Sequence, residues 1–218
     1  QESLISRFPE LLFENCAGGG GRFDAGMLQY SPQVWCSDNT DPVARLAIQY
    51  GTSFGYPSSS MGAHVSASPN HQTGRRTPLS TRGIAAMAGT FGYELDLTKL
   101  TVEECGEIRN QIKRYKDIEP VVHGGRLYRL SNLSENSRYY CWEHVSQDKN
   151  RCILSVVVTD PQANYTLVHV KLKGLDPDAM YSVGGEFECR GSTLMQNGYT
   201  FPRLTGDYPA QQLDIIRI

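Results

Sequence analysis

FENCAGGGGRFDAGMLQYSPQVWCSDNTDP, residues 13–42, joins two strand-like runs that each end in functional groups. The run Leu11-Leu12-Phe13, which leads into it, is apolar and long enough only for a buried strand. It passes into a loop holding Cys16 and four consecutive glycines, Gly18 to Gly21. A core has no use for such a run, because glycine loses the most backbone entropy on folding. The second run, Gln33-Val34-Trp35-Cys36, passes into two acids, Asp38 and Asp41. Asp41-Pro42 then opens a helix, with Asp as N-cap and Pro in the first turn, where its missing N–H costs nothing. Val43, Leu46, Ala47 and Tyr50 follow helical spacing up to Gly51.

Outward from this stretch, strand and helix keep alternating. A third strand is expected near Met61 to Val65. Thr77-Pro78 repeats the cap-plus-proline signal ahead of a helix from Leu79 to Ala88, and Phe91 to Leu97 reads as a fourth strand. Thr101-Val-Glu-Glu104 is a capping box, and its helix is expected to end near Lys116. About four strand–helix units in regular order imply a parallel sheet. An eight-unit barrel takes roughly 250 residues, so residues 1–120 read as half of a (β/α)8 barrel. The alternative is a small open parallel sheet. Neither GxGxxG nor GK[ST] occurs, so the phosphate fingerprints of nucleotide folds are missing.

From about Val121 the pattern changes to short β-prone runs: Leu127 to Leu130, Arg138 to His144, Cys152 to Thr159, Leu167 to Leu172, Met180 to Val183, Glu186 to Cys189 and Leu213 to Ile218. Asp160-Pro161, Asp176-Pro177 and Asn197-Gly198 separate several of them. Val168-His169-Val170-Lys171-Leu172 alternates as a half-buried strand should. Residues 121–218 therefore read as an antiparallel β-sandwich, and the chain as α/β plus β.

Composition narrows the function classes. The formal net charge of −2 argues against a nucleic-acid partner. No apolar run approaches the ~20 residues of a membrane span. The six cysteines show no metal spacing, so no metal or cofactor is expected. They read as free thiols of a reducing, cytoplasmic compartment, with a Cys16–Cys36 bridge as the open alternative. Asn132-Leu-Ser and Asn164-Tyr-Thr match the glycosylation pattern, which matters only in a secreted protein. Gln1 and the early strand suggest that the chain does not start at a natural beginning.

Chemistry in parallel α/β folds sits at the C-terminal strand ends. Asp41 has a structural explanation as helix cap. Asp38 has none locally, and an acid near aromatic and apolar walls would have the raised pKa of a general acid. Pairing of Asp38 with Arg22 or Arg45 is the structural alternative. Gly18 and Gly19 would let a polar substrate approach backbone N–H groups. Arg22 and Asp24 are expected to brace the loop as an ion pair. His64 and His71 fall on later strand-end loops, and Arg75, Arg76 and Arg82 form a basic cluster paired with carboxylates.

The segments ENCAGGGGRFDAGML, PQVWCSDNTD, IQYGTSFGYP, GAHVSASPNHQTGRRTPLSTRG and GTFGYELDLTKL closely resemble α-galactosidases of glycoside hydrolase family 36. The resemblance covers about residues 8 to 100 with long ungapped motifs. It implies a retaining glycosidase on a (β/α)8 barrel, acting on terminal α-galactosides such as melibiose and raffinose-type sugars, and a homo-oligomeric full-length enzyme. It makes Asp38 the general acid/base and sets Cys16 and Gly18 beside the galactosyl C2 hydroxyl. The family's nucleophile motif, Lys-Trp-Asp, does not occur here. The chain is thus expected to be a C-terminal fragment, with residues 1–120 as the C-terminal half of the barrel, inactive alone. A non-catalytic galactoside-binding module and a galactosyl-transferring relative are the competing readings.

Overall fold

The computed structural model describes residues 1–218 apart from 17, 19, 20, 22, 132–137, 165 and 166. Arg22, the whole tripeptide at Asn132 and part of that at Asn164 lie outside the described residues. After helix α1 (Glu2–Arg7), the first half runs β1 (Glu14–Asn15), α2 (Ala25–Leu28), β2 (Gln33–Val34), α3 (Pro42–Thr52), β3 (Gly62–Ser66), α4 (Leu79–Ala86), β4 (Thr90–Glu94) and α5 (Val102–Gly124). β1 pairs parallel with β2, and β3 with β4. A parallel bridge between Val34 and Met61 joins the two pairs, giving four parallel strands in sequence order.

Local sequence accounts for these helices. The Asp41 carboxylate caps α3 by accepting from Val43 N and Ala44 N, both at 2.9 Å. Thr101 and Glu104 form the capping box of α5. The Thr77-Pro78 signal is different: Pro78 is the N-cap residue, without a side-chain bond. The Thr77 hydroxyl is buried without a hydrogen-bond partner among the described residues.

Three expectations are corrected. Leu11 and Leu12 do not form a buried strand; they precede β1 and are 51% and 86% exposed, and neither belongs to a described core cluster. The fourth strand ends at Glu94 rather than Leu97. The helix expected to stop near Lys116 continues through Pro120 to Gly124. Tyr115, Ile118, Val121 and Val122 all bury against Met87 and Ile153, and this packing outweighs the helix-breaking tendency of proline. Position 120/121, where the sequence pattern changes, lies inside α5.

The second half contains β5 (Arg126–Arg129), β6 (Tyr139–Val145), β7 (Arg151–Val158), β8 (His169–Val170), β9 (Met180–Val183), β10 (Phe187–Arg190), α6 (Gly191–Gln196), β11 (Tyr199–Thr200) and β12 (Ala210–Arg217). Six strands form an antiparallel sheet in the order β10-β9-β12-β7-β6-β5, and β8 pairs with β11 in a second, two-stranded sheet. Helix α6 and strand β11 had no counterpart in the sequence reading.

β7 shows how the layers join. Cys152, Leu154, Val156 and Val158 point into a core shared with Val168, Val170, Leu172 and Phe201. The alternate residues Ile153 and Val157 point the other way, against α5 in one case and against Leu46 of α3 and Ala85 of α4 in the other. A strand buried on both faces must be apolar throughout, which is why CILSVVV carries almost no alternation.

Candidate active site

Strand parity sorts the first half into two faces. Ala63 and Val65 of β3 pack with Leu79, Ala86 and Ile108 on the helix side. Gly62, His64 and Ser66 therefore point to the opposite face, together with Gly92 and Glu94, their register partners on β4. Trp35 shares that face, with its ring stacked on His64 at a centroid distance of 4.6 Å. His64 lies within β3, not on a strand-end loop as expected; His71 is on the loop that follows.

Asp38 and Cys16 lie just past the C-terminal ends of β2 and β1. The Cys16 thiol faces Asp38 Oδ1 at 3.9 Å, so the two strand-end loops meet there. Both residues are exposed. The described residues do not enclose Asp38 in apolar walls, contrary to expectation. Gly18 sits in the Cys16 loop at φ +57 with open space where a Cβ would be. The left-handed backbone, not crowding, is what calls for glycine at this position. All six cysteines are free thiols, Cys16 and Cys36 included.

Arg45 does not hold Asp38. Its buried guanidinium donates to Ser37 O at 3.0 Å and Gly62 O at 2.5 Å, and also contacts the Cys36 sulfur. It ties helix α3 to the end of β2 and the start of β3. Asp24 caps α2 by accepting from Met27 N.

The loop carrying Asp38 is braced from the segment after β3. Gln72 Nε2 donates to the Asp38 carbonyl at 2.8 Å, while Gln72 Oε1 accepts from Thr40 N at 2.9 Å. Asn70 holds Gln72 by accepting from its N–H and donates to Thr40 Oγ1, each at 2.9 Å. Asp41 is buried and accepts from Thr73 Oγ1 at 2.6 Å in addition to its capping bonds. It also pairs with Arg75. Fixed backbone and an engaged neighbour leave the Asp38 carboxylate as the group presented to solvent.

Sequence reasoning missed Asn70, Thr40 and Gln72 as bracing residues. The only signal for Asn70 and Gln72 was a polar loop rich in turn formers, SPNHQTG, and Thr40 stood unremarked between the two acids of SDNTD. Of the arginine cluster, Arg75 pairs with a carboxylate as expected. Arg82 instead donates to Thr77 O and Ser66 O. Burial lowers its pKa, opposed by the charges of Glu104 and Glu107. No group of three or more His, Cys, Asp or Glu side chains among the described residues could hold a metal ion. No described helix is long and apolar enough to cross a membrane.

Similarity to known proteins places this arrangement among the glycoside hydrolases. The Melibiase family model matches residues 1–125, and that of the glycosyl hydrolase family 36 C-terminal domain matches residues 139–215. The chain belongs to glycosyl hydrolase family 36. It is 52% identical over 214 residues to the bifunctional α-galactosidase/sucrose kinase AgaSK of Mediterraneibacter gnavus, covering 97% of this chain and 23% of that protein. It is 48% identical to α-galactosidase AgaA of Geobacillus stearothermophilus, covering 95% of this chain and 28% of that protein. The solved galactosidase domain of AgaSK superposes with a TM-score of 0.96 at 51% identity, over 100% of this chain and 30% of that one. An AgaA variant solved in complex with raffinose superposes with a TM-score of 0.96 at 45% identity, with the same coverage. The chain spans about a quarter of the length of these two curated relatives.

Proposed function

We propose that these residues form the acid/base-bearing part of an α-galactosidase that releases terminal α-galactosyl groups with retention of configuration. The observation that carries this reading is the approach of Cys16 to Asp38 at 3.9 Å across two parallel strand ends. Asp38 protonates the leaving oxygen and then deprotonates the incoming water. Cys16 and Gly18 border the sugar's C2 hydroxyl. The four parallel strands are half of a (β/α)8 barrel, with β1 and β4 as its open edges. The division into barrel and sandwich, drawn at 120/121, then falls in the last turns of α5. Melibiose and raffinose-type sugars are the proposed substrates, in a cytoplasmic, homo-oligomeric enzyme.

A retaining mechanism needs a second carboxylate about 5 Å from the first. Asp41 and Asp24 are committed as helix caps. We therefore propose that the nucleophile comes from outside these 218 residues and that they do not turn over galactosides alone.

The test is Asp38→Ala in the complete polypeptide that carries these residues. Turnover of natural sugars should fall by about 100-fold or more, the scale of general acid catalysis. Aryl galactosides, whose leaving groups need no proton, should lose less in the first step. Equal loss on both would refute the acid role. Product analysis at high sugar concentration separates hydrolysis from galactosyl transfer.

A further inference from the structure

The face of β2, β3 and β4 opposite the helices holds a stacked cluster that the acid/base role does not use. The His64 ring lies against Trp35, with an interplanar angle of 24°. Its Nδ1 is 3.5 Å from Glu94 Oε2. Gly92 stands opposite His64 in the strand register, and a Cβ there would come within 2.7 Å of the imidazole. A Cβ at Gly62 would come within 3.2 Å of the Trp35 ring and 2.8 Å of the Glu14 carboxylate. Two glycines thus clear the space that the two rings fill. The Arg45 guanidinium lies 4.4 Å from the Trp35 ring centroid, and that arginine is itself anchored to Ser37 O and Gly62 O.

Trp35 is three residues from Asp38 along the chain, just past β2, and its N–H donates to Asn15 O of β1 at 2.8 Å. The backbone beyond Trp35 is held by Arg45 at Ser37 O and by Gln72 at Asp38 O. The Trp35 ring, stacked on His64, adds a tie from this segment's own side chain to the strand face. We propose that His64, oriented by Glu94, is a positioning residue that fixes the Trp35 ring and with it the end of β2 from which Asp38 projects. The inference rests on the reading of Asp38 as acid/base for its kinetic consequence, but not for its geometric one. A misplacement of about 1 Å at a reacting group can cost about 100-fold in rate.

Two measurements test it. In the complete polypeptide labelled with 5-fluorotryptophan, the Trp35 19F resonance is identified as the one lost in Trp35→Phe. His64→Ala and Glu94→Ala should shift and broaden the Trp35 resonance, and His64→Phe and Glu94→Gln should return it towards the parent position. An unmoved Trp35 resonance in a folded His64→Ala or Glu94→Ala chain overturns the proposal. The two Glu94 variants, at the end of β4, keep the measurement open if His64→Ala does not fold.

In the complete polypeptide, His64→Ala should lower kcat on raffinose-type sugars by about 10- to 100-fold, with KM within about threefold. His64→Phe should recover most of the loss. An unchanged kcat, or a loss that only tracks lowered thermal stability without rescue by His64→Phe, overturns it as well. Failure of the acid/base reading looks different: Asp38→Ala would keep turnover of natural sugars while the 19F result stands.

Discussion

Glu143 is a carboxyl group buried on β6 of the antiparallel sheet, where it accepts from Lys173 N at 2.6 Å and from the Cys152 thiol at 3.3 Å. Burial raises its pKa from 4.5 to about 8, and those two bonds offset only part of the shift. Between these values the folded chain holds a proton that the unfolded chain has lost. Stability therefore falls as pH rises through that window, at up to about 1.4 kcal/mol per pH unit. Its neighbour His144 has the opposite sign. Burial, reinforced by His123, lowers its pKa from 6.5 to about 4, so its contribution is lost as pH falls from 6.5 towards 4. The two slopes oppose each other between about 4.5 and 6.5, and the Glu143 loss stands alone above that. Urea midpoints from pH 5 to 8 should fall above pH 6.5 in the parent, and Glu143→Gln should flatten that limb. An equally steep limb in the variant would exclude Glu143 as its source. Neither group was singled out from the sequence, because in the run Tyr139-Tyr-Cys-Trp-Glu-His-Val145 strand parity does not say that both faces of β6 are covered. By contrast, the place of Asp38 past the second strand and the Asp41 cap ahead of a proline were legible, since both are local signals.

At the scale of elements, α5 was half legible. Its capping box marked the start, while the expected end near Lys116 falls two turns short of Gly124. Pro120 is exposed and can neither donate to the Lys116 carbonyl nor avoid crowding it. The helix persists because Tyr115, Ile118 and Val122 form a stripe against the six-stranded sheet. Pro120→Ala restores the donor without removing a buried contact. It should raise stability by up to about 3 kcal/mol, visible as a higher melting temperature by circular dichroism. A lower melting temperature would mean that the proline serves the packing of Val121 and Val122. Short elements were the illegible ones. β11 and α6 have too few residues for a period to emerge, and they exist because Tyr199, Phe201 and Leu194 fill the core shared with β7.

Across the molecule, the two halves share cores. Val157 of β7 packs with Leu46 and Ala85, and the Thr81 hydroxyl donates to the Tyr208 carbonyl at 2.6 Å. Leu4, Phe8, Leu11 and Leu12, by contrast, are exposed around the start of β1, and β1 pairs with β2 alone among the described residues. An open parallel edge beside exposed apolar side chains invites association. Light scattering of the 218-residue chain should rise with concentration, and Leu12→Glu should lower it. Concentration-independent scattering from a monomer would count against this.

Periodicity, caps and turn residues along the chain determined where most helices and strands lie, and the order of types from parallel α/β to antiparallel β. They also determined that an acid follows the second strand, because these signals are local and survive without a partner. Only the tertiary structure decided that α5 runs through its proline, that Leu11 and Leu12 stay exposed, and that Arg45 serves Ser37 and Gly62 rather than Asp38. It alone set Trp35 on His64 and brought Gln72 to the Asp38 loop. These outcomes depend on residues distant in sequence competing for the same buried space and hydrogen bonds, and no local pattern records which of them wins.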